Sequence, residues 1–209
     1  MNAPTRTTVP GSVRADRAVG AVVVSAAGDA LGAGYEFGPA LSPETPVAMK
    51  GGGGFHWEPG EWTDDTQMAL AILLPLAEGD TDLARIEASF RAWFESGPPD
   101  VGNQTRGALN STGPLADAAA AHLALTGGRA AGNGSLMRTG PVALAHPGDR
   151  DAIADLARAV SELTHPAADC VDACVLWSLA IDHAIHHAPT ATEPWDAADA
   201  VRAGLTHLP

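Results

Sequence analysis

Apolar residues in this 209-residue chain recur at three- and four-residue intervals, and no stretch alternates apolar with polar as a strand would. That periodicity restricts the fold to helices. Val19, Val22, Val23, Ala26, Ala27, Ala30 and Leu31 form one stripe; Leu83, Ile86, Phe90, Trp93 and Phe94 form another; Ile153, Leu156, Ala157, Val160 and Leu163 a third. The spacing predicts helices over about 13–32, 64–78, 83–96, 115–126, 149–165, 167–187 and 192–205. Two shorter ones are predicted within 100–112 and opening near Leu136 at the Gly132–Ser135 turn. Pro75 should bend or shorten its helix. Residues 1–12 read as a disordered tail and 13–209 as one all-α domain. Alanine and glycine are abundant and aromatic residues only 5%, which suits close contacts between helices.

A formal net charge of −13 argues against a broad basic surface for nucleic acid. It also opposes a phosphate-bearing ligand unless a metal or aimed backbone amides offset the repulsion. Cys170 and Cys174 share one helix face at i, i+4 and match no zinc spacing, so they read as small buried residues. Residues 1–10 hold no apolar leader, and the run 21–27 is too short to span a bilayer. A cytoplasmic protein without a membrane segment is the expectation. His183, His186 and His187 read as a solvated helix face.

The loops carry the chemistry. Thr63, Asp64 and Asp65 place three hard-oxygen side chains in a row where a glycine-rich segment gives way to an apolar helix. Magnesium, manganese and calcium favour such oxygens. Inside a helix each residue turns by about 100°, so three neighbours diverge. At a helix start they can converge, because Thr63 still lies outside. The same run is also a capped helix, with Thr63 as N-cap and two acids at the positive end of the dipole. Spacing alone leaves both readings open.

Four further segments set polar, glycine-rich chemistry beside apolar helices: Gly28-Asp29-Ala30-Leu31-Gly32 with Glu36, Asp100-Val101-Gly102-Asn103-Gln104-Thr105-Arg106, Gly132-Asn133-Gly134-Ser135-Leu136-Met137-Arg138, and Leu163-Thr164-His165-Pro166. Alone, each has an ordinary explanation: a solvated Glu36, a turn acid at Asp100 after two prolines, an Asn-Gly turn, a helix-end His165. Together with Thr63-Asp64-Asp65-Thr66, their order resembles the ADP-ribosylglycohydrolase family, in particular its dinitrogenase-reductase-activating branch.

The resemblance implies an all-α fold and two divalent cations, magnesium or manganese. It implies hydrolysis of the glycosidic bond between ADP-ribose and a modified residue, with arginine the leading substrate because of the Asp100–Arg106 segment. It assigns Thr63, Asp64 and Asp65 as metal ligands, and Glu36 as the acid beside them that acts as general base or steers a bound water. Asp100 becomes the partner of a guanidinium. Gly102, Asn103, Asn133, Gly134, Ser135, Met137 and His165 become the walls of the ADP-ribose cleft. The 132–135 amides would hold the diphosphate with help from the following helix dipole, and Arg138 would support the phosphates or bind a carboxylate. Gly51–Gly54 suit a mobile flap over the cleft.

The family also implies a second acidic run of the GDADT type, which completes the metal site. Only Gly79-Asp80-Thr81-Asp82 looks similar, and a helix cap explains it. About half of the expected metal ligands are therefore found before Pro209. Two readings follow: a metal-dependent ADP-ribosyl hydrolase acting on ADP-ribosylated protein, or a catalytically silent ADP-ribose-binding protein. Self-association or a partner covering the missing part of the fold goes with either.

Overall fold

The computed structural model describes residues 11–187, so the predicted helix at 192–205 and most of the predicted tail lie outside the described residues. The described residues form seven α-helices: α1 (Gly11–Gly32), α2 (Asp64–Ala77), α3 (Leu83–Glu95), α4 (Asn103–Leu109), α5 (Leu115–Leu125), α6 (Arg150–Glu162) and α7 (Ala168–His187). Among them the only β pairing is an isolated bridge between Gly52 and Trp57. α1 begins two residues before the expected start.

Helix starts follow local chemistry. The side chain of Asp82 accepts from the Ala84 amide (2.9 Å) and that of Asp149 from the Ala152 amide (3.1 Å), each satisfying an amide left over at a helix start. Pro75 does not stop α2 at once; the helix runs on to Ala77. Gly79, at φ +80°, ends it. Its left-handed backbone lets the Asp80 amide bond back to the Pro75 carbonyl at 3.0 Å.

α6 lies along α7, α2 along α3, and α4 along α5. The core gathers Met68 and Ile72 of α2, Ile86 and Phe90 of α3, Leu115 of α5, Ile153, Leu156 and Val160 of α6, and Val175 and Leu179 of α7. Each such side chain contributes about 1.5–3 kcal/mol by leaving water. α1 differs: Ala30 is its one buried residue, and Val19, Val23 and Val24 are exposed. With the 3-10 turn that follows (Ala33–Tyr35, to which Gly11–Tyr35 extends), it is long and apolar enough to cross a membrane by length and composition. It is nonetheless tied to α2 through Asp29 and touches α7.

Two expectations are overturned. No helix opens at Leu136: residues 133–138 are successive turns with one α-type bond, Met137 N–H to Asn133 O at 3.1 Å, and a 3-10 turn follows at Gly140–Leu144. Pro141 has no amide proton for an α-type bond back to Met137, and the chain runs on as the 3-10 turn. The extended dipole behind the 132–135 turn is therefore absent. His186 is not a solvated residue: its Nδ1 lies 3.0 Å from Asp182 Oδ1 and both are largely buried. Asp182 also accepts from the Gly148 amide, tying α7 to the turn before α6. The glycines at 51–54 form a turn closed by backbone hydrogen bonds. Gly52 and Trp57 exchange two backbone hydrogen bonds (2.7 and 2.9 Å), and Trp57 is buried. A Cβ at Gly34 would collide with the Gly51 carbonyl, so the two backbones are in direct contact.

Candidate active site

The start of α2 is held by an acid from another helix. Asp29, near the end of α1, accepts four hydrogen bonds: from Thr63 N–H (2.9 Å), Thr63 Oγ1 (2.8 Å), Thr66 N–H (3.1 Å) and Thr66 Oγ1 (2.6 Å). Thr63 is also the N-cap, with its hydroxyl accepting weakly from the Asp65 amide at 3.4 Å. The cap reading and the ligand reading thus describe the same threonine. In the sequence Asp29 sits in the Gly28–Gly32 segment with no partner indicated; thirty-four residues separate it from Thr63 and no local pattern links them.

Around this start the chain gathers acids. Burial raises Asp64 to about 7, with further pushes from Asp100, Asp65 and Glu36. Burial and Asp29 raise Asp65 to about 6, against the hydrogen bond from Thr63. Glu36 is raised by burial and then by Asp100, Asp65 and Asp29. Asp100 is raised by burial, and Arg106 beside it acts in the other direction. Every charged group acting on Glu36, Asp64 and Asp65 is another carboxylate. Such a group resists ionisation unless a cation joins it. The donors are all hard oxygens, which suits magnesium or manganese. Yet among the described residues no three acids, histidines or cysteines come close enough to enclose an ion by themselves. The donor set fits a cation in kind and supplies part of a coordination shell. Asp29, Glu36, Thr63 and Asp65 share an open cavity of about 520 Å³ with Tyr35.

A second cavity, of about 620 Å³, is lined by Gly102, Asn103, Asn133, Gly134 and His165, together with Gln104. It brings five of the sequence-derived substrate residues together from three distant segments. Ser135 and Met137 are not among its lining. The Ser135 hydroxyl is buried and accepts from Ser161 Oγ (3.0 Å) and Cys174 Sγ (3.4 Å); Met137 packs on the core. Cys170 and Cys174 are buried free thiols, as expected.

Arg138 departs from its expected role. It is fully buried and binds neither a carboxylate nor the cavity. Its Nη2 donates to Thr164 Oγ1 (2.6 Å) and to the Val160 carbonyl (3.4 Å), and its guanidinium lies 4.2 Å over the Phe90 ring. Burial lowers it to about 9, still a cation at neutral pH. Thr164 Oγ1 lies 2.7 Å from His165 Nδ1. Burial, then Arg138 and His122, lower His165 to about 3, so its ring is uncharged. Gln104 Nε2 donates to the Thr164 carbonyl at 3.0 Å. Thr164 and Gln104 are the residues sequence reading missed here; both sit inside quoted motifs, but nothing in their spacing reveals that they meet.

The ADP-ribosylglycohydrolase family model matches residues 10–209. The chain is 36% identical over 187 residues to the ADP-ribosyl-(dinitrogen reductase) glycohydrolase of Rhodospirillum rubrum, covering 82% of this chain and 58% of that protein. It is 34% identical over 184 residues to the ADP-ribosylarginine hydrolase Tri1 of Pseudomonas putida (strain GB-1), covering 83% of this chain and 48% of that protein. A solved structure titled ADP-ribosylglycohydrolase-related protein complex superposes with a TM-score of 0.66 at 33% identity, over 83% of this chain and 58% of that one. The chain thus spans about half the length of the curated relatives it matches.

Proposed function

The chain belongs to the ADP-ribosylglycohydrolase family, and from that premise we propose that it hydrolyses the glycosidic bond between ADP-ribose and a modified protein side chain, arginine first, with the help of divalent cations. The observation that carries this reading is the acid cluster at the start of α2, whose carboxylates are raised first by burial and then by one another.

Thr63, Asp64 and Asp65 are the side chains that would hold magnesium or manganese, whose chemistry when bound is to orient ribose hydroxyls and acidify a water. The remaining work belongs to the chain. Glu36, exposed at the rim and raised above its usual range, accepts the proton of the attacking water. The water oxygen bonds to the anomeric carbon as the bond from that carbon to the guanidino nitrogen breaks, and that nitrogen takes up the proton Glu36 has received, which returns Glu36 to its starting state. Asp100 pairs with the guanidinium and orients the leaving group. The 620 Å³ cavity takes the ADP moiety, where the Gly132–Gly134 amides suit phosphate oxygens.

Release of ADP-ribose from an arginine-ADP-ribosylated protein tests the reading. Turnover with manganese or magnesium that stops on adding EDTA is expected. Binding of ADP-ribose without turnover favours a second reading, a silent ADP-ribose-binding protein. That reading has its own observation: no three acids among the described residues enclose an ion unaided.

A further inference from the structure

A fully buried arginine bonded to no carboxylate is costly, and here it has one short hydrogen bond, to Thr164 Oγ1. We propose that Arg138 and Thr164 are positioning residues that fix His165 as its Nε2–H tautomer, so that the ring presents a hydrogen-bond donor to an acceptor atom of the ligand in the 620 Å³ cavity.

Counting protons around Thr164 fixes the tautomer. A guanidinium only donates, so Thr164 Oγ1 receives a proton from Arg138 at 2.6 Å. The hydroxyl has one proton of its own, and its other neighbour is His165 Nδ1 at 2.7 Å. Were Nδ1 protonated, two donors would converge on Thr164, and its own proton would lack a partner. Thr164 is wholly buried, so that proton would find no water, an arrangement folded proteins avoid. The hydroxyl therefore donates to Nδ1. An uncharged imidazole that accepts at Nδ1 carries its single proton on Nε2.

The other edge of the ring is aimed by what surrounds it. A Cβ built on Gly134 would come within 2.9 Å of Nε2 and 2.8 Å of Cε1, and one on Gly132 within 4.0 Å of Nε2. The ring edge thus lies against a stretch of bare backbone on the cavity wall. Gln104 holds the Thr164 carbonyl, which fixes the main chain from α4. The ring is kept uncharged by burial and by Arg138, so the proton has one place to be. The identity of the ligand rests on the reading proposed above; the tautomer does not.

The test uses the full chain labelled at its histidine ring nitrogens, with the His165 signals assigned by their loss in His165→Gln. NMR of the wild-type protein should show a protonated Nε2 and an unprotonated, hydrogen-bonded Nδ1. Thr164→Val keeps the shape and removes the hydroxyl. It should mix the tautomers and weaken ADP-ribose binding about tenfold. Thr164→Ser should restore both. A wild-type ring protonated at Nδ1 overturns the proposal without any variant. So does an unchanged tautomer in Thr164→Val, or a serine variant as weak as the valine one. A ring that behaves as described in a wild-type protein that does not bind ADP-ribose upholds the relay and defeats the assignment of the cavity.

Discussion

At the start of α2, the carboxylates of Glu36, Asp64 and Asp65 are crowded together with Asp100 near them, whereas behind the Gly132–Gly134 turn a single buried cation and a neutral histidine are chained together through one hydroxyl. The first region concentrates charge that folding alone does not neutralise. The second suppresses charge so that a proton stays on a chosen atom. Their shared lesson is that a functional cleft can be prepared in two ways: by leaving a charge imbalance for a ligand to correct, or by tying a neutral ring from behind so that its one free proton faces the cavity.

Removing the imbalance should have the largest consequence. Asp64→Ala with Asp65→Ala is expected to lower metal-dependent ADP-ribose release by about a hundredfold or more, the scale on which loss of electrostatic stabilisation is felt. Unchanged rates in the release assay would mean the acids are only a helix cap. Next comes the brace behind them. Asp29→Ala strands four donors from Thr63 and Thr66, and about 3 kcal/mol of unfolding free energy should be lost in urea titration, with weaker manganese binding by calorimetry. A fully stable variant would show that α1 does not hold the site.

The neutral region should respond on a smaller scale. Gly134→Ala places a methyl group inside contact distance of the His165 ring, and ADP-ribose affinity should fall about tenfold while manganese binding is unchanged. Equal losses in both would erase the distinction between the clefts. The subtlest effect is on pH. Asp64 moves from an ordinary value of 3.8 to about 7 on folding, so between those limits the folded protein binds more protons than the unfolded one. Metal-free stability should therefore fall as pH rises from about 4 to about 7, by roughly 5 °C in thermal melts, and added manganese should flatten the slope. A metal-free protein that gains stability over that range would show that the acids are already paired.

The helices were legible because their cause is local. The apolar stripe of α6 and its Asp149 cap lie within one stretch of sequence, and so do the Asp82 cap and the Gly79 stop. The missing helix at Leu136 shows the limit: the segment packs Arg138 inward against Phe90 and Thr164, and those distant contacts leave no mark in the local pattern. The carboxylates at the start of α2 and the residues lining the second cavity came from matching motif order, since spacing left Thr63 between cap and ligand. What stayed hidden were partnerships across long separations: Asp29 with Thr63, Gln104 with Thr164, Arg138 with Thr164. The pairing of His186 with Asp182 was within reach, because acids and histidines four apart on a helix meet.

The contact between Gly34 and Gly51 has a consequence for how this chain can vary. A side chain at Gly34 would strike the Gly51 carbonyl, and one at Gly51 would strike the Trp57 carbonyl. Neither position can drift first and be compensated later by the other. A side chain at either glycine would displace the backbone that carries Glu36, so two residues with no chemistry of their own set how far that acid reaches into its cavity.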